Sequence, residues 1–156
     1  MPIIPPYTIS YKPIALTGKT VLIFHFSTKE RMNETLTPMS NAYEGALKQN
    51  REGHNFPSSY VPKEHTLYKH IQVNCVYIIG VYTPLSLHHE LLHARYYADP
   101  EYKQQIHNEW NSLSDVAKNH ITSFLKRLGY RDDVIIDEYQ AYKYTEKPNF
   151  FGIRVM

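Results

Sequence analysis

The fold is decided by residues 83–99, which read TPLSLHHELLHARYYAD. Thr83 can cap the free amides at a helix start, and Pro84 suits the first helical position. No glycine or proline interrupts the run that follows, as far as Asp99. The pattern therefore predicts a helix over residues 84–99, and its leucines on several sides indicate that this helix lies inside the domain.

The predicted helix carries the motif HExxH at His89, Glu90 and His93. A spacing of four residues turns a helix by about 400°, so both imidazoles lie on one face and can bind one metal ion. Paired histidines on an apolar helix can also be core residues that hydrogen bonds satisfy. Burying them together with a glutamate would cost several kcal/mol unless all three were paired, which favours the metal.

A third ligand is available in residues 134–144, VIIDEYQAYKY, a stretch that can be helical. Glu138 is the candidate, because its apolar neighbours would bury it. Asp137 points about 100° away and is the weaker candidate. Tyr142 falls one turn beyond Glu138, where its hydroxyl could hold a histidine ligand in place.

Two histidines compete with Glu138 for the third position, since an HExxH site can use a histidine there. They are His107 and His120. Neither has the spacing of the extended motif HExxHxxGxxH, because Tyr96 and Asp99 stand where that motif has glycine and histidine. The sequence favours Glu138 and leaves both histidines as alternatives.

The N-terminal half is expected to hold the strands. Residues 20–27 and 71–82 are rich in β-branched and aromatic side chains, and 71–79 is apolar on both faces, which predicts a central strand. A short helix is expected over residues 40–49, with Ser40 or Asn41 as its cap, and a polar loop over 50–63. The prolines near the N-terminus predict an extended arm.

The remaining C-terminal residues show a helical packing stripe. Apolar side chains recur every three to four positions over residues 100–128, which predicts one long helix or two, ended by Gly129. The tail, residues 148–156, is mostly apolar, with Arg154 as its single charged residue. It is expected to form a final strand or to dock over the cleft.

Length and composition place these elements in one α+β domain. A chain of 156 residues has the commonest size of a single domain, with a sheet-rich half at 1–82, a helical half at 83–147 and the tail. The net charge is only +2, and basic and acidic residues are interspersed. The sequence therefore does not show the charge pattern typical of proteins that bind nucleic acid or a membrane surface. Cys75 is the only cysteine, which excludes an internal disulfide and favours an intracellular setting. The sequence shows neither a secretory signal nor a transmembrane stretch, and it leaves the oligomeric state open.

His89-Glu90-Leu91-Leu92-His93-Ala94, followed by Asp137-Glu138-Tyr139-Gln140-Ala141-Tyr142, resembles the zincin metallopeptidases of the gluzincin kind. The segment between the two motifs is also similar to small uncharacterised HExxH proteins of microbes and large DNA viruses. This second resemblance would be compatible with a location inside a virus-infected host cell. The first resemblance implies a zincin-like domain whose short, mostly antiparallel sheet packs on the metal-binding helix. It also implies that an edge strand lies over the cleft and pairs with an extended peptide. Residues 20–27 or the segment 60–68 are the expected edge.

The resemblance implies one catalytic zinc ion held by His89, His93 and Glu138. Zinc would lower the pKa of a bound water towards roughly 7, and Glu90 would accept the water's proton during attack on an amide. The hydrogen-bond donor to the carbonyl oxygen stays open among Tyr130, Tyr142, Tyr144 and His120.

Two functions of different class follow. The first is a zinc metallopeptidase acting on peptide or protein substrates. The second is a non-catalytic, zinc-stabilised interaction protein whose cleft is closed by the tail.

Overall fold

The structure, a computed structural model, describes residues 6–47 and 50–153. A four-stranded sheet occupies the N-terminal half, and four of the five helices follow it along the chain. The elements are β1 (Tyr7–Pro13), β2 (Thr20–Phe26), α1 (Lys29–Glu44), β3 (Gly53–Pro57), β4 (Cys75–Val81), α2 (Leu87–Ala98), α3 (Pro100–Asn111), α4 (Asp115–Leu128) and α5 (Ile135–Lys143).

The sheet is mixed and has the strand order β1-β2-β4-β3. β1 runs antiparallel to β2, β3 runs antiparallel to β4, and β2 runs parallel to β4. The parallel pair requires a crossover connection, and α1 lies within it. The α+β class is therefore confirmed, as is the central position of the strand predicted within residues 71–82.

The prediction of the edge strand is wrong. β2 lies between β1 and β4, and the segment 60–68 contributes to two 3-10 turns rather than to a strand. The edges are β1, within the predicted N-terminal arm, and β3, within the predicted loop 50–63. β3 was obscured because its buried residues include polar ones: His54 bonds to Ser40 and Asn33, and Asn55 bonds to Tyr77.

The bounds of the helix predicted over residues 40–49 are also wrong. α1 begins after Thr28, whose side chain accepts a hydrogen bond from the Arg31 amide, and ends at Gly45, which has a φ of 104°. Pro38 lies inside this helix, where it removes one backbone hydrogen bond. Buried Met32, Leu36 and Met39 offset that loss by packing on the sheet. Positions 48 and 49 lie outside the described residues.

Side chains alternate between the two faces of the sheet and so build two cores. Leu22 and Phe24 of β2 pack with α1 on one face, whereas Val21 and Ile23 pack with α2 on the other. The other helices enclose a third core with the tail, formed by Trp110, Ile121, Leu125, Tyr130, Val134, Ile135, Tyr139 and Phe151. The metal-binding helix predicted from the sequence therefore lies between the sheet and the helical half.

The helical half largely follows the sequence prediction. Thr83 caps a 3-10 turn at Pro84–Ser86, and α2 continues from it. Residues 100–128 form two helices, and Gly129 ends the second in a left-handed conformation with a φ of 110°. Across the described ranges, no helix is both long and apolar enough to cross a membrane.

The tail does not form a strand over residues 148–153, and residues 154–156 lie outside the described part of the chain. Phe151 is buried in the helical core, and the Phe150 ring stacks on the Tyr142 ring of α5 at 4.6 Å. The tail thus packs against α5.

Candidate metal centre

Two helices bring the predicted site residues together. α2 supplies His89, Glu90 and His93, whose ligand atoms lie within 4.8 Å of one another. α5 supplies Asp137 and Glu138, which form a second group with His93 under the same limit. Glu90, His93 and Glu138 are all at least 96% buried, as expected for side chains between packed helices.

His93 lies close to both His89 and Glu138, but His89 and Glu138 belong to separate groups of close ligand atoms, so one ion bound by all three would require these two side chains to approach each other. His93 Nε2 lies 3.3 Å from His89 Nε2 and 3.4 Å from Glu138 Oε2. Bonds of about 2.0–2.1 Å at a tetrahedral angle place neighbouring ligand atoms about 3.3 Å apart. Glu138 Oε2 is buried and accepts no hydrogen bond from the described residues. A cation bound there would satisfy an oxygen that the protein leaves without a partner.

Hydrogen bonds to the other ring nitrogens orient both histidines. His93 Nδ1 lies 2.8 Å from Asp137 Oδ1, and His89 Nδ1 lies 3.1 Å from Thr145 Oγ1. With Nδ1 engaged in each ring, the Nε2 lone pairs are left to face the ion. Asp137, the weaker candidate for direct ligation, is thus the partner of a ligand.

Tyr142 does not hold a histidine through its hydroxyl, so that prediction is wrong. Its hydroxyl lies 2.9 Å from that of Tyr130, while its ring packs against the His89 ring at 4.7 Å. Thr145, one residue beyond the predicted helix, makes the hydrogen bond instead. No spacing rule marks this threonine, because it follows the helix end.

The alternative third ligands have other partners. His107 Nε2 lies 2.8 Å from the Tyr96 hydroxyl, and His120 Nε2 lies 2.7 Å from the Phe151 carbonyl oxygen. Neither histidine belongs to a group of ligand atoms close enough for a metal within the described residues.

Burial and neighbouring charges shift the pKa values of the site residues in different directions. Burial opposes charge on His93, but the Asp137 and Glu138 carboxylates outweigh it and hold the pKa of His93 well above its usual value. Burial, reinforced by His93, lowers the pKa of His89 to about 3. Burial would raise the pKa of Glu138, yet the same His93 holds it below the ordinary value. Glu138 and His93 thus form an ion pair without a metal, and an ion bound to both would replace the proton on His93.

Glu90 lies beside the ligands. Its Oε1 is 3.9 Å from His89 Nε2, and its Oε2 is 3.5 Å from Asn55 Nδ2. Burial is the largest cause that raises the pKa of Glu90, to about 7. Asn55 is fixed in turn by the Tyr77 hydroxyl, which donates to Asn55 Oδ1 at 2.6 Å. Sequence reasoning missed Asn55 because β3 was predicted to be a loop.

An open cleft of about 550 Å³ leads to these residues. β3 and the residues before it form one wall, and α5 with the residues after it forms another. Arg51, Gly53, Asn55, His89, Glu90, Tyr130, Glu138, Tyr142 and Thr145 are among the lining residues, and the described tail residues are not. The site can therefore admit a ligand from solvent to a buried set of metal-binding atoms.

Comparison with protein-family models, with curated proteins and with solved structures finds no match for this chain. The interpretation of the site accordingly rests on its own residues and geometry.

Proposed function

We propose that this protein is a zinc-dependent metallopeptidase. The observation that carries the proposal is that His93 Nε2 lies 3.3 Å from His89 Nε2 and 3.4 Å from Glu138 Oε2, with the Glu90 carboxylate beside them next to an open cleft. Two imidazoles and one carboxylate are a donor set typical of catalytic zinc, which keeps a fourth position free.

Zinc, when bound, would supply Lewis acidity and lower the pKa of a water towards about 7. Glu90 would take a proton from the attacking water while the water oxygen forms a bond to the carbonyl carbon of the substrate. Glu90 would then give that proton to the amine nitrogen as the carbon–nitrogen bond breaks.

Two further features support a peptide as substrate. β3 pairs only with β4 among the described strands, and its Gly53 and Asn55 line the cleft, so an extended chain bound there would lie beside this strand. The paired Tyr130 and Tyr142 hydroxyls line the same cleft and can donate a hydrogen bond to a carbonyl oxygen.

The test combines metal analysis with the substitution Glu90→Gln. Purified wild-type protein should contain about one zinc ion, and E90Q should keep the zinc while cleavage of a peptide library falls by roughly 10²–10⁴-fold. Glu34→Gln is the matched control, because Glu34 is exposed on α1 and should leave both readouts unchanged.

Two results would contradict the proposal. Absence of zinc from purified wild-type protein would show that the proposed metal centre does not exist. Zinc-loaded protein that cleaves no peptide, with E90Q behaving like wild type, would support the non-catalytic, zinc-stabilised interaction protein.

A further inference from the structure

His89 is the least buried of the three candidate metal ligands. Its side chain is 17% exposed, whereas the side chains of His93 and Glu138 are each 1% exposed. Close packing between the helices therefore restrains His93 and Glu138 on all sides. The orientation of His89 depends on fewer contacts, and two of them come from Tyr142 and Thr145, in α5 and just after it.

The first of these contacts is the hydrogen bond between His89 and Thr145. The Thr145 hydroxyl donates its only proton to the Ala141 carbonyl oxygen at 2.7 Å, so it accepts the hydrogen bond from His89 Nδ1 at 3.1 Å. Nδ1 thus carries a proton, which leaves the Nε2 lone pair for a metal ion. A single hydrogen bond, however, still allows the imidazole ring to rotate about this point.

The second contact comes from the Tyr142 ring, which packs between His89 and the tail. The rings of Tyr142 and His89 are 4.7 Å apart. Those of Tyr142 and Phe150 are 4.6 Å apart and nearly parallel, with an interplanar angle of 12°. These are the two shortest separations between aromatic rings in the described part of the chain, where the next shortest is 5.0 Å.

Phe150 is itself held in place by its neighbours. Its ring packs edge-on against Phe124 of α4 at 5.3 Å. The next residue, Phe151, is 2% exposed in the helical core, and its carbonyl oxygen accepts a hydrogen bond from His120 Nε2 at 2.7 Å. A continuous series of contacts therefore connects α4 through the tail and Tyr142 to His89.

The position of Tyr142 depends on Phe150 for a physical reason. The Tyr130 hydroxyl restrains only the hydroxyl end of Tyr142, whereas Phe150 covers a face of its ring. Without the Phe150 ring, that face would border a gap into which Tyr142 can move away from His89. Tyr142 also lies one turn after Glu138 on α5, so its contact with His89 keeps this histidine near the helix that carries Glu138.

We propose that Phe150 is a positioning residue for the metal centre: through Tyr142, the tail holds the His89 ring with its Nε2 beside that of His93. A ligand that is already held in its binding orientation loses less freedom when the ion binds. The inference rests on the metal centre of the proposed function, and it does not depend on peptidase activity.

The test measures how fast zinc leaves the protein. Zinc-loaded variants are mixed with an excess of a chromophoric chelator, and denaturant unfolding gives the stability of each variant. Phe150→Leu keeps an apolar side chain but removes the flat ring, and it should raise the zinc dissociation rate by roughly 10-fold. Phe150→Tyr keeps the ring and should retain the wild-type rate. Ile106→Val is the matched control, because it removes buried volume in α3, away from these rings.

A double variant tests whether Phe150 acts through Tyr142. Tyr142→Leu alone should raise the zinc dissociation rate about as much as Phe150→Leu does. The double variant should then show little further increase, because both substitutions interrupt the same series of contacts. If Phe150→Leu does not fold, Tyr142→Leu still decides whether the ring contact holds His89.

The outcomes separate this inference from the proposed function. Equal zinc dissociation rates in wild-type protein and in folded F150L or Y142L would overturn the role of Phe150 and leave the zinc site standing. Additive effects in the double variant, or an equal rise in I106V at the same loss of stability, would also overturn it. Wild-type protein that takes up no zinc would contradict the metal centre, and the role of Phe150 with it.

Discussion

His93 uses both ring nitrogens at the centre of the site. Nδ1 is engaged by Asp137, and Nε2 faces both His89 and Glu138. A carboxylate on Nδ1 fixes the tautomer and makes the opposite nitrogen a stronger ligand. Asp137 is itself fixed by Gln140 Nε2, which donates to Asp137 Oδ1 at 3.1 Å. The strength of His93 as a candidate ligand thus depends on Asp137.

We expect Asp137→Asn to weaken zinc binding by about 10–100-fold, because the amide keeps a hydrogen-bond acceptor but loses the charge that strengthens His93. Competition with a chromophoric chelator measures the affinity. Asp133→Asn removes an exposed carboxylate one turn earlier and should change nothing. Equal affinities for wild-type protein and D137N would show that Asp137 does not act on the metal through His93.

The helices that carry the candidate ligands could be predicted from the sequence, whereas the surroundings of the candidate site could not. His89, Glu90 and His93 follow from one spacing on one helix, and Glu138 from the apolar residues around it. Asn55, which lies beside Glu90, comes from a segment whose place in the fold depends on tertiary packing. No local pattern connects such residues to a motif that lies far along the chain.

At the scale of elements, β3 sets the distance between the sheet and the Glu90 carboxylate. A Cβ atom placed on Gly53 would lie 3.0 Å from Glu90 Cγ and 3.2 Å from Glu90 Oε2. These separations are shorter than ordinary van der Waals contact. Glycine at this position lets the strand approach Glu90 closely, which narrows the cleft at the proposed general base.

Gly53→Ala should therefore displace Glu90 and lower peptidase activity by roughly 10–100-fold while zinc content stays the same. Gly80→Ala, in β4, provides the contrast: its Cβ would lie 2.1 Å from Leu36 Cδ1 in the core. That variant should lose about 1–3 kcal/mol of stability and keep its activity per folded molecule. Denaturant unfolding and steady-state kinetics separate the two effects. Full activity in G53A would refute the role of this close approach.

Elements with regular periodicity were predicted well, and the errors have physical causes. The helical half follows apolar spacing and caps that are visible in the sequence. α1 begins well before the helix predicted from residue 40, because packing of Met32 and Leu36 on the sheet compensates for Pro38 inside it. β3 was missed because hydrogen bonds satisfy its buried polar side chains.

For the molecule as a whole, the proposed metal lies where α2, packed on the sheet, meets α5 of the helical half. His89 and His93 come from the first helix and Glu138 from the second. Without a cation, Glu138 Oε2 is a buried oxygen that lacks a hydrogen-bond partner in the described part of the chain. A bound ion would both satisfy this oxygen and connect the two halves of the domain.

Zinc should therefore stabilise the entire domain. Free zinc at 100 times its dissociation constant should add about 2.7 kcal/mol to the free energy of unfolding, which raises the Tm by roughly 5–10 °C in a protein of this size. Scanning calorimetry with zinc and with a chelator measures the shift.

Glu138→Gln should remove most of this zinc-dependent shift in Tm, because two histidines alone bind the ion weakly. His107→Gln and His120→Gln should keep it, since both histidines have partners elsewhere. A shift that survives in E138Q and disappears in either histidine variant would identify a different third ligand.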